Sequence, residues 1–187
     1  MMGVTQTLIQ EHQLILRVLG LLRRARKRME KGKKVPTAFF EPAMDFCSGF
    51  ADQFHHFKEE FLLFGLLSHK RQGELDSAMG ALRYQHECCR QSIAGIRQAQ
   101  AGYRENEALA PSFLLENLAV YVSLLQRHIH EEDKVFFPLA EKVLLPFEKT
   151  ALARQFEEEE EQQGGRRAVF EKYETLADDL CRIFPPG

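Results

Sequence analysis

The chain has 187 residues, 44% of them apolar and 28% charged, with a formal net charge of −2. That length suits one domain with a full core. The near-neutral charge excludes the basic footprint of a nucleic-acid binder, and no run approaches the ~20 apolar residues of a membrane span. The start, MMGVTQTLIQEHQ, lacks the basic-then-apolar pattern of a signal peptide, so a cytoplasmic location is expected. Cys47, Cys88, Cys89 and Cys181 show no CxxC spacing, which argues against a disulfide framework or a zinc ribbon.

A first helical pattern runs from about Thr5 to Lys31 and stops at Gly32-Lys33-Lys34-Val35-Pro36. A second starts near Thr37, a plausible N-cap, and continues to about His69. Lys70 to Gly73 reads as a polar turn. The third pattern runs from about Asp76 to Tyr103, and a loop covers Arg104 to Pro111. The fourth starts at the N-cap candidate Ser112 and meets Pro138, where a kink or an end is expected. After Pro146 come the acidic run Glu157 to Glu161, Gly164-Gly165 and an amphipathic segment from Arg166 to Ile183. No period-2 run of β-branched residues stands out, so the chain reads as all-α. Four long patterns joined by short turns predict an up-down-up-down four-helix bundle over residues 1–146. Residues 147–187 are expected to be a helical extension packed on or beside it, with the Glu run as a solvated face.

Seven histidines are the unusual feature. At about 100° per residue, His12 lies at the centre of the stripe Leu8, Ile9, Ile15, Leu16, Leu19. His86 lies at the centre of the stripe Met79, Leu82, Cys89, Ile93, Ile96. In the fourth helix His128 and Glu132 fall within Tyr121, Leu124, Leu125, Val135 and Leu139, while Asp133 and His130 fall off it. In the second helix His56 and Glu60 flank the stripe Phe50, Phe54, Phe57, Phe61, Phe64, and His55 and Glu59 lie roughly opposite. Helical phase therefore favours His56 and Glu60 over His55 and Glu59. Each favoured glutamate sits four residues after a histidine, on the same face one turn on. Six such groups converging in one core need a common partner, because buried charge is costly unless paired or bound to metal. The expected metal ligands are His12, His56, Glu60, His86, His128 and Glu132. His55, Glu59, Tyr121 and Asp133 are candidates for outer partners or alternative ligands, and His69 and His130 read as surface residues.

Four imidazoles and two carboxylates are too many for one tetrahedral zinc and too rich in nitrogen for calcium or magnesium. They suit two first-row ions sharing carboxylates, with iron the best match. The pattern H…HxxxE…H…HxxxE resembles the hemerythrin HHE cation-binding domain family, most nearly its bacterial single-domain members. The resemblance rests on "EHQLI" around His12, "FHHFKEEFLLF" around His56, "YQHECCR" around His86 and "HIHEEDKVFFPLAE" around His128. It implies two iron ions, cycling between Fe2+ and Fe3+ and joined by an oxo or hydroxo bridge. His12 and His56 would bind one, His86 and His128 the other, and Glu60 and Glu132 would bridge them. Oxygen carriers of the family have a further histidine four residues after the third ligand. Here that position is Arg90, which implies a four-histidine centre with an open coordination position. Cys89 replaces the family's usual glycine, and Leu63-Phe64-Gly65 replaces its LFP.

The expected function is a non-haem di-iron protein that binds O2, NO or peroxide in sensing, storage or stress response. The rivals are a di-iron enzyme with peroxidase, catalase or NO-reducing activity, an iron donor for repair of iron centres, and a metal-stabilised interaction module. The expected partner is a small diatomic molecule or peroxide, with no nucleic acid and no membrane.

Overall fold

The structure is a computed structural model and describes residues 3–70, 73 and 75–185. Among these the chain forms six helices and no strand, an all-α helical bundle. We number them α1 (Val4–Glu30), α2 (residues 37–67), α3 (Asp76–Arg104), α4 (residues 110–143), α5 (Pro146–Gln162) and α6 (Arg166–Ile183). No helix among the described residues is long and apolar enough to cross a membrane. The expected turn over residues 70–73 includes positions 71 and 72, which lie outside the described residues. Gly32 ends α1 with φ 67°, a left-handed conformation that glycine adopts without a Cβ clash. Its N–H and that of Lys33 bond back to the carbonyls of Met29 and Arg28. Neither expected N-cap acts as one. Thr37 opens a 3-10 turn, and Ser112 lies inside α4, which begins at Ala110.

Two of the long helices are not regular. α2 passes from a 3-10 turn (Thr37–Phe39) to α-helix (Phe40–Phe46), then through π-helical stretches at Cys47–His56 and Lys58–Leu63, and back to α-helix at Phe64–Leu67. α4 has a π-helical turn at Glu132–Phe136 and continues through Pro138 to Val143. The chain therefore neither breaks at Pro138 nor keeps a regular register there. In an i→i+5 stretch each turn takes up an extra residue, so the buried face recurs every four or five positions. From Phe50 onward the positions of α2 that are 1% exposed or less recur as Phe50 with Ala51, Phe54 with His55, Lys58 with Glu59, Leu63 with Phe64, and Leu67. Phe61, expected on the buried stripe, is 64% exposed, and Val135 in the π turn of α4 is 61% exposed. Both misplacements have this one cause.

The core is cut in two by a polar layer. In α1, Val4 and Leu8 belong to a smaller apolar cluster, His12 to the layer, and Leu14 to Met29 to a larger cluster. In α2 the order reverses: Phe39 to Phe54, then His55 to Glu60, then Leu63 to Leu67. α3 follows α1, with Leu75 to Leu82 before His86 and Cys89 to Tyr103 after it. α4 follows α2, with Ala110 to Ile129 in the larger cluster and Phe136 to Leu144 in the smaller. Each fully buried phenylalanine in these clusters contributes about 1.5–3 kcal/mol by leaving water.

The C-terminal helices complete both clusters. Leu152 and Phe156 of α5 join the smaller one, and Val169, Tyr173, Ala177 and Leu180 of α6 join the larger. Tyr173 packs edge-on to Phe46 at 5.7 Å and tilted to Phe50 at 5.3 Å. The acidic run is mostly solvated, as expected, but Glu160 is only 5% exposed.

Candidate metal centre

The polar layer brings together five histidines. Regular α-helix delivers His12 from α1 and His86 from α3 at the centre of their apolar stripes. His128 sits in the last α-helical turn of α4, one turn before Glu132. The π-helical stretch of α2 delivers the neighbours His55 and His56, both buried, because successive residues there are separated by a smaller angle. Glu59 follows as a fully buried carboxylate.

Every ring is anchored at Nδ1 and aims Nε2 inward. The Nδ1 atoms face Asp133 (2.7 Å, His12), Glu11 (2.8 Å, His55), Asp52 (3.3 Å, His56), Glu60 (2.7 Å, His86) and Gln85 Oε1 (2.8 Å, His128). A carboxylate or amide oxygen only accepts, so Nδ1 carries a proton and Nε2 is the atom left to bind a metal. This arrangement fixes a metal-binding imidazole in tautomer and orientation. Inside the layer, His86 Nε2 and His128 Nε2 face each other at 2.9 Å. Glu132 Oε2 lies 3.1 Å from His128 Nε2 and 3.4 Å from His12 Nε2. Glu59 lies 3.3 Å from His55 Nε2 and 3.5 Å from His86 Nε2.

Two ligand groups result, each with its atoms within 4.8 Å of one another: His56, Glu59, His86 and His128, and His12, His55, Glu59 and Glu132. Glu59 belongs to both. The Nε2 atoms of His12, His55 and His56 and all four oxygens of Glu59 and Glu132 are buried without a hydrogen-bond partner. Buried polar atoms are nearly always satisfied, and unpaired buried carboxylates are costly. Cations held between these atoms remove both costs.

The electrostatics of the two groups differ. Burial pulls the His12 imidazole down, but its bond to Asp133 and the facing carboxylate of Glu132 outweigh this and push its pKa up to about 10. His55 is likewise raised, the Glu59 charge and the Glu11 bond overcoming burial. Burial lowers His56 despite Asp52. It also holds His86 well below its usual range, helped by the neighbouring His56 and His128. Burial works to raise Glu132, yet His128 and His12 keep it well below the ordinary carboxylate range.

Of the expected ligands, His12, His56, His86, His128 and Glu132 meet in this layer. Glu60 does not. Its carboxylate sits on the outer Nδ1 of His86 and accepts from Arg90 at 2.6 Å. Glu59 takes the inner place, and His55 supplies a fifth imidazole, so the expected four-histidine set gives way to five. The pairing of His12 with His56 is replaced by His12 with His55. The physical reason is the π-helical register of α2, which turns Glu59 inward and Glu60 outward. Asp133, though off the stripe, reaches the back of the His12 ring. Tyr121 is buried in the larger apolar cluster beside Cys47, and burial holds its hydroxyl well above the usual range. Burial also pushes the thiols of Cys47 and Cys89 up to about 12, so they pack as neutral groups. His69 and His130 are exposed, as expected. The sequence reading missed Glu11, Asp52, Lys58 and Gln85. Lys58 could have been found from a four-to-five spacing after Phe50 and Phe54, but nothing local marks the other three.

The hemerythrin HHE cation-binding domain model matches residues 3–140. The chain belongs to the hemerythrin HHE cation-binding domain family. Three curated proteins, two from strains of Mycobacterium tuberculosis and one from Mycobacterium bovis, are each 24% identical to it over 173 residues. The match spans 92% of this chain and 67% of each relative, and all three bear the description "uncharacterized protein". No solved structure is significantly similar to the chain. In this hemerythrin domain the family's cation-binding character and the two buried ligand groups coincide.

Proposed function

We propose that this hemerythrin domain holds two iron ions and binds O2, NO or peroxide at them. His12, His55 and Glu132 would hold one ion, His56, His86 and His128 the other, and Glu59 would join both. The observation that carries this reading is the set of three ring nitrogens and four carboxylate oxygens left unpartnered in one buried layer. Five imidazoles and two carboxylates suit mid-row divalent ions better than the all-oxygen preference of calcium or magnesium. Two such ions supply a redox couple and exchangeable coordination positions for a small ligand. The chain's residues orient the imidazoles from behind and exclude bulk water. Phe64, Phe136 and Phe137 cover the layer on the side of the smaller cluster. The test is anaerobic loading of the full chain with iron, metal analysis, and stopped-flow spectroscopy with O2, NO and peroxide. The expected result is two irons per chain and a spectroscopically distinct, reversible adduct with at least one of the three. Fewer than two irons, or multiple turnovers without an adduct, would overturn it.

A further inference from the structure

The C-terminal helices lie beyond residues 3–140, which carry the family match, yet they reach the back of one ligand. Glu11 Oε2 accepts from His55 Nδ1 at 2.8 Å. Its other oxygen accepts from Lys58 Nζ at 2.5 Å and from Arg166 at 2.6 Å. Glu160 Oε1 accepts from the same two cations, both at 2.8 Å. Glu11 and Lys58 are 0% exposed and Glu160 5%. Lys58 Nζ also lies 3.8 Å from the centre of the Phe54 ring, which fixes it over an aromatic face. The quartet contains two carboxylates and two cations and is internally neutral. One member of each sign comes from the bundle, the other from the junction of α5 and α6.

We infer that Glu160 and Arg166 are positioning residues for the metal centre: they set the charge left on Glu11, and through it the donor strength of His55. This rests on His55 being a ligand as proposed above. A carboxylate pulling on the outer N–H of an imidazole makes the inner nitrogen a stronger donor. A stronger donor favours the more highly charged, oxidised ion. Glu160 draws Lys58 and Arg166 away from Glu11 and so strengthens the pull on His55. Arg166 neutralises Glu11 and weakens it. The extension thus tunes the ion held by His12 and His55 rather than the one held by His56, His86 and His128. The outer carboxylates of that second group, Asp52 and Glu60, are met instead by Arg90, from α3.

The test compares Glu160→Gln and Arg166→Gln in the full iron-loaded chain by spectroelectrochemical titration. Glu160→Gln should raise the potential of one iron and Arg166→Gln should lower it. Each shift should be roughly tenfold in the oxidised-to-reduced ratio, ~59 mV for a one-electron couple. The double variant should return close to the starting value, and Arg166→Lys should retain it. A second readout is the His55 Nδ1 proton resonance of the metal-free chain by NMR. It should move in opposite directions in the two variants. Shifts of the same sign, or potentials that move while the His55 resonance stays fixed, would overturn the inference. If the chain takes up fewer than two irons, the proposed function fails on its own, and the resonance still decides whether the extension acts on His55.

Discussion

The two halves of the centre share Glu59 but are built differently. The half formed by His56, His86 and His128 has three imidazoles, two of them held at low pKa by burial. Its outer carboxylates, Asp52 and Glu60, are 23% and 12% exposed and are paired with the half-exposed Arg90. The half formed by His12 and His55 has two imidazoles and two inner carboxylates, and its histidines are pushed up rather than down. Of its two outer carboxylates, Asp133 is 18% exposed, whereas Glu11 lies in the deep interior against Lys58, under the C-terminal helices. One half is nitrogen-rich and supported close to solvent. The other is carboxylate-rich and supported by a buried ion network. Two ions held as proposed would therefore meet unequal charge in one layer and need not share one potential or one affinity.

The largest effect that would break this comparison is at the shared residue. Glu59→Ala should weaken both ions by more than the roughly 10- to 100-fold that loss of an outer partner costs. Metal analysis after dialysis should then find almost no iron. Glu60→Ala should show only the outer-partner loss, confined to the His86 side. If Glu60→Ala emptied the site while Glu59→Ala kept two irons, the register of α2 described above would be wrong.

A smaller effect separates the two supports. Lys58→Met leaves the buried Glu11 and Glu160 sharing one cation, Arg166, in place of two, and should destabilise the metal-free chain by about 3–5 kcal/mol in chemical denaturation. Arg90→Met removes a pair that solvent screens and should cost about 1 kcal/mol or less. Equal losses would show that the two outer networks are energetically alike.

A further effect is in pH dependence. His12 faces Asp133 and Glu132, with the Glu59 charge nearby, and its folded pKa of about 10 lies above its ordinary 6.5. A raised folded value means that the protonated ring stabilises the fold fully below about pH 6.5, and that this contribution is lost as pH rises towards 10. The melting temperature of the metal-free chain should therefore fall across that window. The iron-loaded chain should not show this fall, because the metal replaces the proton. His12→Gln should flatten the metal-free curve, whereas a His56→Gln curve should keep its slope.

How far the sequence could be read depended on the kind of helix. In α1 and α3, which are regular, a 100° wheel placed His12 and His86 in the layer. In α4 the regular part placed His128 there, Glu132 at the first position of the π turn was still in phase, and the first error, Val135, falls inside that turn. In α2 several positions after Phe54 slipped, with Phe61 turned outward, Lys58 inward and Glu59 in the place of Glu60, while His56 and Phe64 stayed buried as expected.

The sequence by itself determined that the chain is all-α, that its helices carry histidines and carboxylates on apolar faces, and that these would converge on cations. Residue type and period are local properties, and burial follows from them wherever the backbone keeps its ordinary repeat. Only the tertiary structure decided which neighbour faces inward and which residues stand behind the rings. The choice between i→i+4 and i→i+5 bonding in α2 changes no residue and no local hydrogen-bond count. It is set by how the helix packs against α1, α3, α5 and α6. Glu11, Asp52, Gln85, Glu160 and Arg166 acquire their roles from contacts made across that packing, so no spacing along the chain could announce them.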